Sequence, residues 1–267
     1  MRLSRCDSSS QRQAILLMKT HGSPSQSALI EIGIMFLPGI PAYLWLWPNV
    51  DDTAWSLPVQ SAVYVYFIAC SLLIGLRRWS AAQLGLNRNG IAFSLICGAV
   101  LIVGRLFAIF CTNIPVAWQF NTPERLIGDV LFYLLLVGVT EELVFRGLMY
   151  RALEEWCGTR WAIWGTTIAF GLWHVGRGRA VFGFLAGFII GLILAGIRWR
   201  AGGIIGLIVV HALVDLSSVA IMPDVRIGYL TTQVQVVNSL LAVLSEVTLV
   251  GLLICLWKAP LVRQTNV

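Results

Sequence analysis

The sequence predicts an all-α protein, a polytopic membrane helix bundle of about eight transmembrane helices with both termini in the cytoplasm. Three observations carry that prediction. Hydrophobic residues fill 58% of the 267 positions and charged residues only 12%, whereas a soluble domain carries roughly 45–50% apolar and about 25% charged residues. Mean hydropathy is +0.80, and apolar stretches recur between residues 27 and 257. The basic residues stand in ones and twos at the ends of those stretches, as membrane topology requires.

Windows long enough to cross a hydrocarbon core of about 30 Å fall near 27–49, 58–76, 90–112, 126–150, 160–175, 179–197, 203–222 and 236–257. The first contains Pro38 and Pro41 and is expected to be broken there. The fifth is short and ends in the loop Gly176–Arg179. The sixth carries Gly183, Gly187, Gly191 and Ala195 on one ridge; small residues at every fourth position let a neighbouring helix come close, which is a packing feature. The chain thus divides into a polar N-terminal tail (1–26), one transmembrane domain (27–257) and a short C-terminal tail (258–267).

Orientation follows from Lys and Arg. Of the nineteen, thirteen fall on the side of the two tails, with Arg77, Arg78, Arg88, Arg151, Arg160, Arg198 and Arg200; four (Arg125, Arg177, Arg179, Arg226) fall on the other, and Arg105 and Arg146 lie within spans. Excess positive charge marks the cytoplasmic side. The net charge of +6 does not indicate nucleic acid, because no basic tract interleaved with aromatics is present. The six cysteines include no CxxC pair and lie mostly in apolar runs, where they behave as small apolar residues. No cleavable signal peptide is expected, since the first 26 residues are polar and Ser-rich. Trp45, Trp47, Trp79, Trp161, Trp199 and Trp257 stand near span ends and suit interfacial anchoring.

An ionisable side chain at the centre of a membrane helix costs roughly 2.5–3.5 kcal/mol on insertion scales, so such residues are informative. They are Glu31, Arg105, Asp129, Glu141, Glu142, Arg146, His174, His211, Asp215 and Glu246. Several fall into three patterns: Thr140-Glu141-Glu142-Leu143-Val144-Phe145-Arg146 in the fourth span, Phe170-Gly171-Leu172-Trp173-His174 ending the fifth, and His211-Ala212-Leu213-Val214-Asp215 in the seventh. Glu142 and Arg146 are spaced for an ion pair, as are His211 and Asp215. Glu141 projects about 100° around the helix from Glu142. At about 1.5 Å per residue, Glu141, His211 and His174 lie roughly 14, 12 and 21 Å from the cytoplasmic ends of their spans, near mid-membrane. Arg105 is read as a structural partner of Asp129 or Glu246.

A desolvated carboxylate becomes a usable base near neutral pH. One imidazole can share and polarise a water with it, and a second can donate to a developing oxyanion. Glu, His and His on three helices therefore suit amide hydrolysis. There is no GxSxG elbow and no Cys in these patterns to act as nucleophile. The bland readings are a structural Glu142–Arg146 ion pair and interhelical hydrogen bonding by His174. His21 lies in the polar tail and takes no role.

Glu141-Glu142-x-x-x-Arg146, Phe170-x-x-x-His174 and His211-x-x-x-Asp215, in that order, resemble the CPBP family: the CAAX proteases and bacteriocin-processing enzymes, or Abi family, which includes the type II CAAX prenyl endopeptidases. The resemblance spans a core of about 125–220, with Leu84-Gly85-Leu86 as a weaker echo. It implies an intramembrane glutamate peptidase with its cavity open to the cytoplasm. Glu141 would activate water with His174, His211 would supply the oxyanion contact, Glu142 and Arg146 would orient the site, and Phe170 would pack beside it. Asp215 stands where the family has Asn or Asp. An ionised Asp cannot donate to an oxyanion, so Asp215 is expected either to stay protonated in the apolar cavity or, the preferred role, to orient His211 and favour its charged form.

The resemblance favours a mechanism without metal or other cofactor, although Glu and two His could also hold zinc with an open position for water. The expected partners are the lipid bilayer and a membrane-associated peptide or protein substrate, in the inner (plasma) membrane of a bacterium. Two other readings use the same residues: a non-catalytic scaffold or bacteriocin-immunity factor, and a transporter. An intact Glu/His/His set argues against the first, and the lack of an internal repeat against the second.

Overall fold

The computed structural model describes residues 24–49, 56–112, 116–118, 122–175, 180–223, 244 and 247–255. Most of the expected N-terminal tail, the loop Gly176–Arg179, Arg226, Glu246, much of the expected eighth helix and the C-terminal tail lie outside the described residues.

Helices form where apolar windows were expected. They are α1 (Pro24–Asn49), α2 (Ser56–Leu76), α3 (Ile91–Thr112), α4 (residues 123–157), α5 (Thr159–Trp173), α6 (Ala180–Ala201) and α7 (Ile205–Ala220), with a helical piece at 247–255. α1 runs through Pro38 and Pro41, so the expected break does not occur. Each proline removes a single backbone bond, while Ile32 and Met35 on the preceding turns are locked into the core. Among the described residues the only strands are β1 (Val116–Trp118) and β2 (Ile221–Pro223). They pair antiparallel, Ala117 opposite Met222, and join the chain beyond α3 to the end of α7. Three-residue strands carry no usable periodicity, which is why apolar patterning missed them.

α4 continues about two turns past the expected limit at 150. Gly158, with φ of +90°, ends it: its N–H bonds to the Glu154 carbonyl at 3.0 Å, and its own carbonyl accepts from Ala162 at 3.0 Å to start α5. α4 is also not uniformly α-helical. Pro123–Leu131, Val139–Glu141 and Tyr150–Cys157 are α-helical, but Phe132–Gly138 and Glu142–Met149 are wound as wider π-helix. π-helical turns inside α-helices are uncommon and occur often at functional sites.

The helices pack in pairs. α5 lies along α6, α3 along α7, and α1 along α2, while α4 contacts both α2 and α7. Trp79, Leu84, Phe67, Val144, Leu148 and Phe170 belong to one core, and Phe93, Leu101, Leu194, Leu207 and Val210 to a second between α3, α6 and α7. One pole gathers several basic residues and is tied together by polar bonds: Trp79 Nε1 donates to Glu155 Oε2 at 2.7 Å, Ile204 N–H to the Gly85 carbonyl at 2.8 Å, and Arg78 pairs with Glu31. Leu84-Gly85-Leu86 thereby anchors the α6–α7 turn. Arg198, expected among the loop charges, is instead only 3% exposed. Its Nε donates to the Arg146 carbonyl at 3.1 Å and its Cζ lies 5.4 Å from the Tyr150 ring centre.

Among the described residues, Pro58–Leu76 and Gly183–Ala201 are long and apolar enough to cross a membrane, and Ser25–Pro38, Ile91–Phe107 and Ile205–Ser217 are shorter apolar helices. Large apolar side chains including Ile30, Leu37, Leu73, Val103 and Val181 face outward.

α7 approaches α4 at Gly138, where an added Cβ would lie 2.9 Å from the Ile208 carbonyl oxygen. Backbone cannot swing aside as a flexible side chain can. Gly138→Val is expected to lower stability by about 1–3 kcal/mol, read as a fall in the thermal unfolding midpoint of detergent-solubilised protein.

Candidate active site

The three sequence patterns converge. Glu141, Glu142 and Arg146 on α4 are fully buried, and His211 on α7 is 3% exposed. Burial of that many charges is tolerated only if each is paired and hydrogen-bonded, and their pairing sets the geometry. Glu142 Oε1 accepts from Arg146 Nη1 at 3.0 Å and lies 2.7 Å from His211 Nδ1. Arg146 Nη2 reaches the Gly191 carbonyl of α6 at 3.3 Å, and its Cζ stacks 4.1 Å from the centre of the Phe170 ring. One ion pair thus links α4, α5, α6 and α7.

Hydrogen-bond chemistry assigns the ring nitrogens. His174, just past the end of α5, places Nδ1 2.8 Å from the Phe170 carbonyl. A carbonyl only accepts, so Nδ1 carries the hydrogen and neutral His174 has its lone pair on Nε2. That Nε2 lies 4.0 Å from Glu141 Oε2. His211 Nδ1 likewise donates to Glu142, and its Nε2 lies 3.5 Å from the same Glu141 oxygen. Glu141 Oε2 therefore faces Nε2 of both histidines, so that an oxygen placed to one side of the carboxylate could hydrogen-bond to it and to a ring nitrogen together. The other oxygen, Oε1, accepts the Trp173 Nε1–H at 3.0 Å.

Asp215 lies 3.7 Å from His211 Nε2, on the side facing Glu141. The group that holds the other ring nitrogen of His211, Nδ1, is Glu142. Phe170 packs on both rings, its centre 4.5 Å from that of His174 and 5.8 Å from that of His211. Arg105 donates to the Val214 carbonyl at 3.1 Å and to Ser217 Oγ at 3.3 Å, bonds to α7 that the sequence did not suggest; Glu246, one of its expected partners, lies outside the described residues. No group of three or more His, Cys, Asp and Glu side chains among the described residues is placed to hold a metal ion.

Two features escaped sequence reasoning. Trp173 stands within the fifth-span pattern, but spacing alone gives it no role. The small-residue ridge on α6 was read as packing alone. A Cβ at Gly187 would lie 2.9 Å from the His174 ring, and one at Gly191 3.2 Å from Phe170. The ridge is the floor on which these two rings rest.

Residues 123–217 match the family model described as type II CAAX prenyl endopeptidase Rce1-like, bearing out the resemblance seen in the motifs. The match runs from the start of α4 into α7 and holds every site residue above, while α1, α2 and α3 lie outside it. No curated protein matches the chain.

Arg146→Met leaves Glu142 buried beside His211 without its guanidinium and is expected to cost about 3–5 kcal/mol. Glu142→Gln/Arg146→Met removes both charges and is expected to recover much of that loss. Thermal unfolding of the two variants beside the parent checks both values.

Proposed function

We propose that the protein is an intramembrane endopeptidase of the CAAX-protease type, hydrolysing a peptide bond in a membrane-associated protein or peptide with water activated by Glu141 and His174. The observation that carries this reading is the convergence of Glu141 Oε2 with Nε2 of His174 and of His211. The outward apolar faces of the helices and the two spanning-length segments support a multi-pass membrane location. The basic pole supports a cytoplasmic position for that end.

In the proposed reaction a water sits to one side of the line joining Glu141 Oε2 and His174 Nε2, hydrogen-bonded to both. Glu141 takes one of its protons as the oxygen attacks the carbonyl carbon of the substrate, breaking the C=O π bond and forming a tetrahedral oxyanion. His211 donates to that oxyanion from Nε2 in its doubly protonated form, which Glu142 on Nδ1 and Asp215 near Nε2 both accommodate. The C–N bond then breaks, the amine leaves with the proton held by Glu141, and the products are a new carboxyl terminus and a new amino terminus. Glu142 and Arg146 do not touch substrate; they hold the His211 ring in place. The reading employs water alone as the nucleophile and no metal.

The test compares membrane and secreted peptide termini in cells carrying the wild-type protein, Glu141→Ala or neither, with matched expression and insertion. A neo-terminus is expected with wild type, reduced by about 10²–10⁴-fold in Glu141→Ala, the range a general base contributes. Termini identical in all three cells would instead support a scaffold. Cleavage by purified protein is expected to survive a zinc chelator; its loss and recovery with added zinc would replace the water-only reading.

Asp215 is the charge nearest His211 Nε2 after Glu141. Asp215→Asn keeps the shape and is expected to move the pH–rate profile of cleavage. A superimposable profile would remove Asp215 from the mechanism.

A further inference from the structure

We infer that Trp173 is a positioning residue for the proposed base: its indole N–H occupies Glu141 Oε1 and leaves Oε2 as the oxygen that handles the proton. This rests on the peptidase reading of the site and names a residue that reading does not use.

A carboxylate has two oxygens of equal basicity, and a side chain with rotatable bonds can offer either one. At Glu141 the two are made unequal. Oε1 is held by Trp173 Nε1 at 3.0 Å, while Oε2 faces both histidines. An indole N–H donates only, so it stabilises negative charge on Oε1 and cannot exchange a proton with the reacting atoms. It also fixes the carboxylate plane. A base whose proton-accepting oxygen is aligned before substrate arrives does not need to be ordered in the transition state.

The indole can do this only if it is itself immobile, and its surroundings supply that. Trp173 is 8% exposed. Its ring packs at 5.3 Å from Phe67 of α2, 6.0 Å from Phe36 of α1 and 6.3 Å from Phe145 of α4; the first two are edge contacts of the kind aromatic rings prefer. Phe36 and Phe67 lie outside the segment that matches the family model. The N-terminal helices therefore pack against the indole that bonds Glu141.

The geometry is specific to this tryptophan. Trp79 makes the same type of bond, Nε1 to Glu155 Oε2 at 2.7 Å, but at the pole and away from the site. It serves as the control for losing an indole–carboxylate bond anywhere in the fold.

The experiment has a spectroscopic and a kinetic arm on the full chain in detergent. With ¹⁵N-labelled tryptophan, Trp173→Phe identifies the Trp173 indole resonance by its disappearance; should that variant not fold, Trp173→Tyr takes its place. The resonance is expected to shift in Glu141→Gln, which replaces the charged acceptor, and to stay in place in Glu155→Gln. An unmoved resonance in Glu141→Gln overturns the inference. In the kinetic arm, a peptide carrying the cleavage site found from the neo-terminus is the substrate. Trp173→Phe is expected to lower kcat about tenfold or more, the loss expected for one hydrogen bond to a charged group, with KM within about threefold because the indole does not touch substrate. Trp79→Phe is expected to match wild type. A wild-type kcat in Trp173→Phe, or an equal fall in Trp79→Phe, overturns the positioning role. If Glu141→Gln itself cleaves at the wild-type rate, the peptidase assignment of the site fails. If Glu141→Gln is inactive and Trp173→Phe is not impaired, only the role of Trp173 fails.

Discussion

The rest of the structure depends on how the Glu142 carboxylate is neutralised inside the bundle. It has no exposure, and a single oxygen serves both Arg146 and His211. A buried ion pair adds little net stability compared with an apolar pair, but removing one partner is expensive. Its effect is therefore specificity. The pair fixes the rotamer of Arg146, whose guanidinium then reaches the Gly191 carbonyl and lies on Phe170. It also fixes the ring orientation of His211 and aims Nε2 at Glu141. Arg198 bonds the Arg146 carbonyl from beneath, so the pole and the site are mechanically continuous.

Two adjacent glutamates consequently have different surroundings. Glu142 meets cations. Glu141 meets an indole N–H on one oxygen and two ring nitrogens on the other. The first environment holds an ionised group still, and the second suits an oxygen that gains and loses a proton. The second wide stretch of α4 begins at Glu142 and ends after Met149, where the backbone N–H of Tyr150 bonds to the Phe145 carbonyl five residues back. Glycines at 138 and 187 bring α7 and the His174 ring to within contact distance. Small residues at these approaches go with two ring nitrogens, from the end of α5 and from α7, lying 4.0 and 3.5 Å from one oxygen of α4.

Much of this was visible in the amino-acid sequence, because polar residues are costly in apolar spans and stand out. The Glu142–Arg146 pair follows from four-residue spacing, and the depths of Glu141, His174 and His211, all well inside their spans, are compatible with a shared site. What the sequence did not reveal has physical reasons. π-helical winding alters spacing by one residue per turn, without a compositional marker. Trp173 looks like any other indole near a span end until its N–H is seen to face a carboxylate. The glycine ridge on α6 shows that a helix comes close, but not that the group resting on it is an imidazole. Asp215 lies four residues from His211 on the same helix and its nearness could be read from spacing, whereas Glu142 reaches His211 Nδ1 from another helix, a contact no local spacing encodes. The helix through Pro38 and Pro41 shows tertiary packing overriding local propensity.

The central claim is that Glu141 performs chemistry while Glu142 holds the structure that makes the chemistry possible. The most direct measurement places Glu141→Gln and Glu142→Gln side by side and records both thermal unfolding and peptide cleavage. The account predicts that Glu141→Gln unfolds at or above the parent temperature and is inactive, while Glu142→Gln unfolds at a lower temperature. The opposite pattern, with Glu141→Gln destabilised and still cleaving and Glu142→Gln stable and inactive, would contradict it.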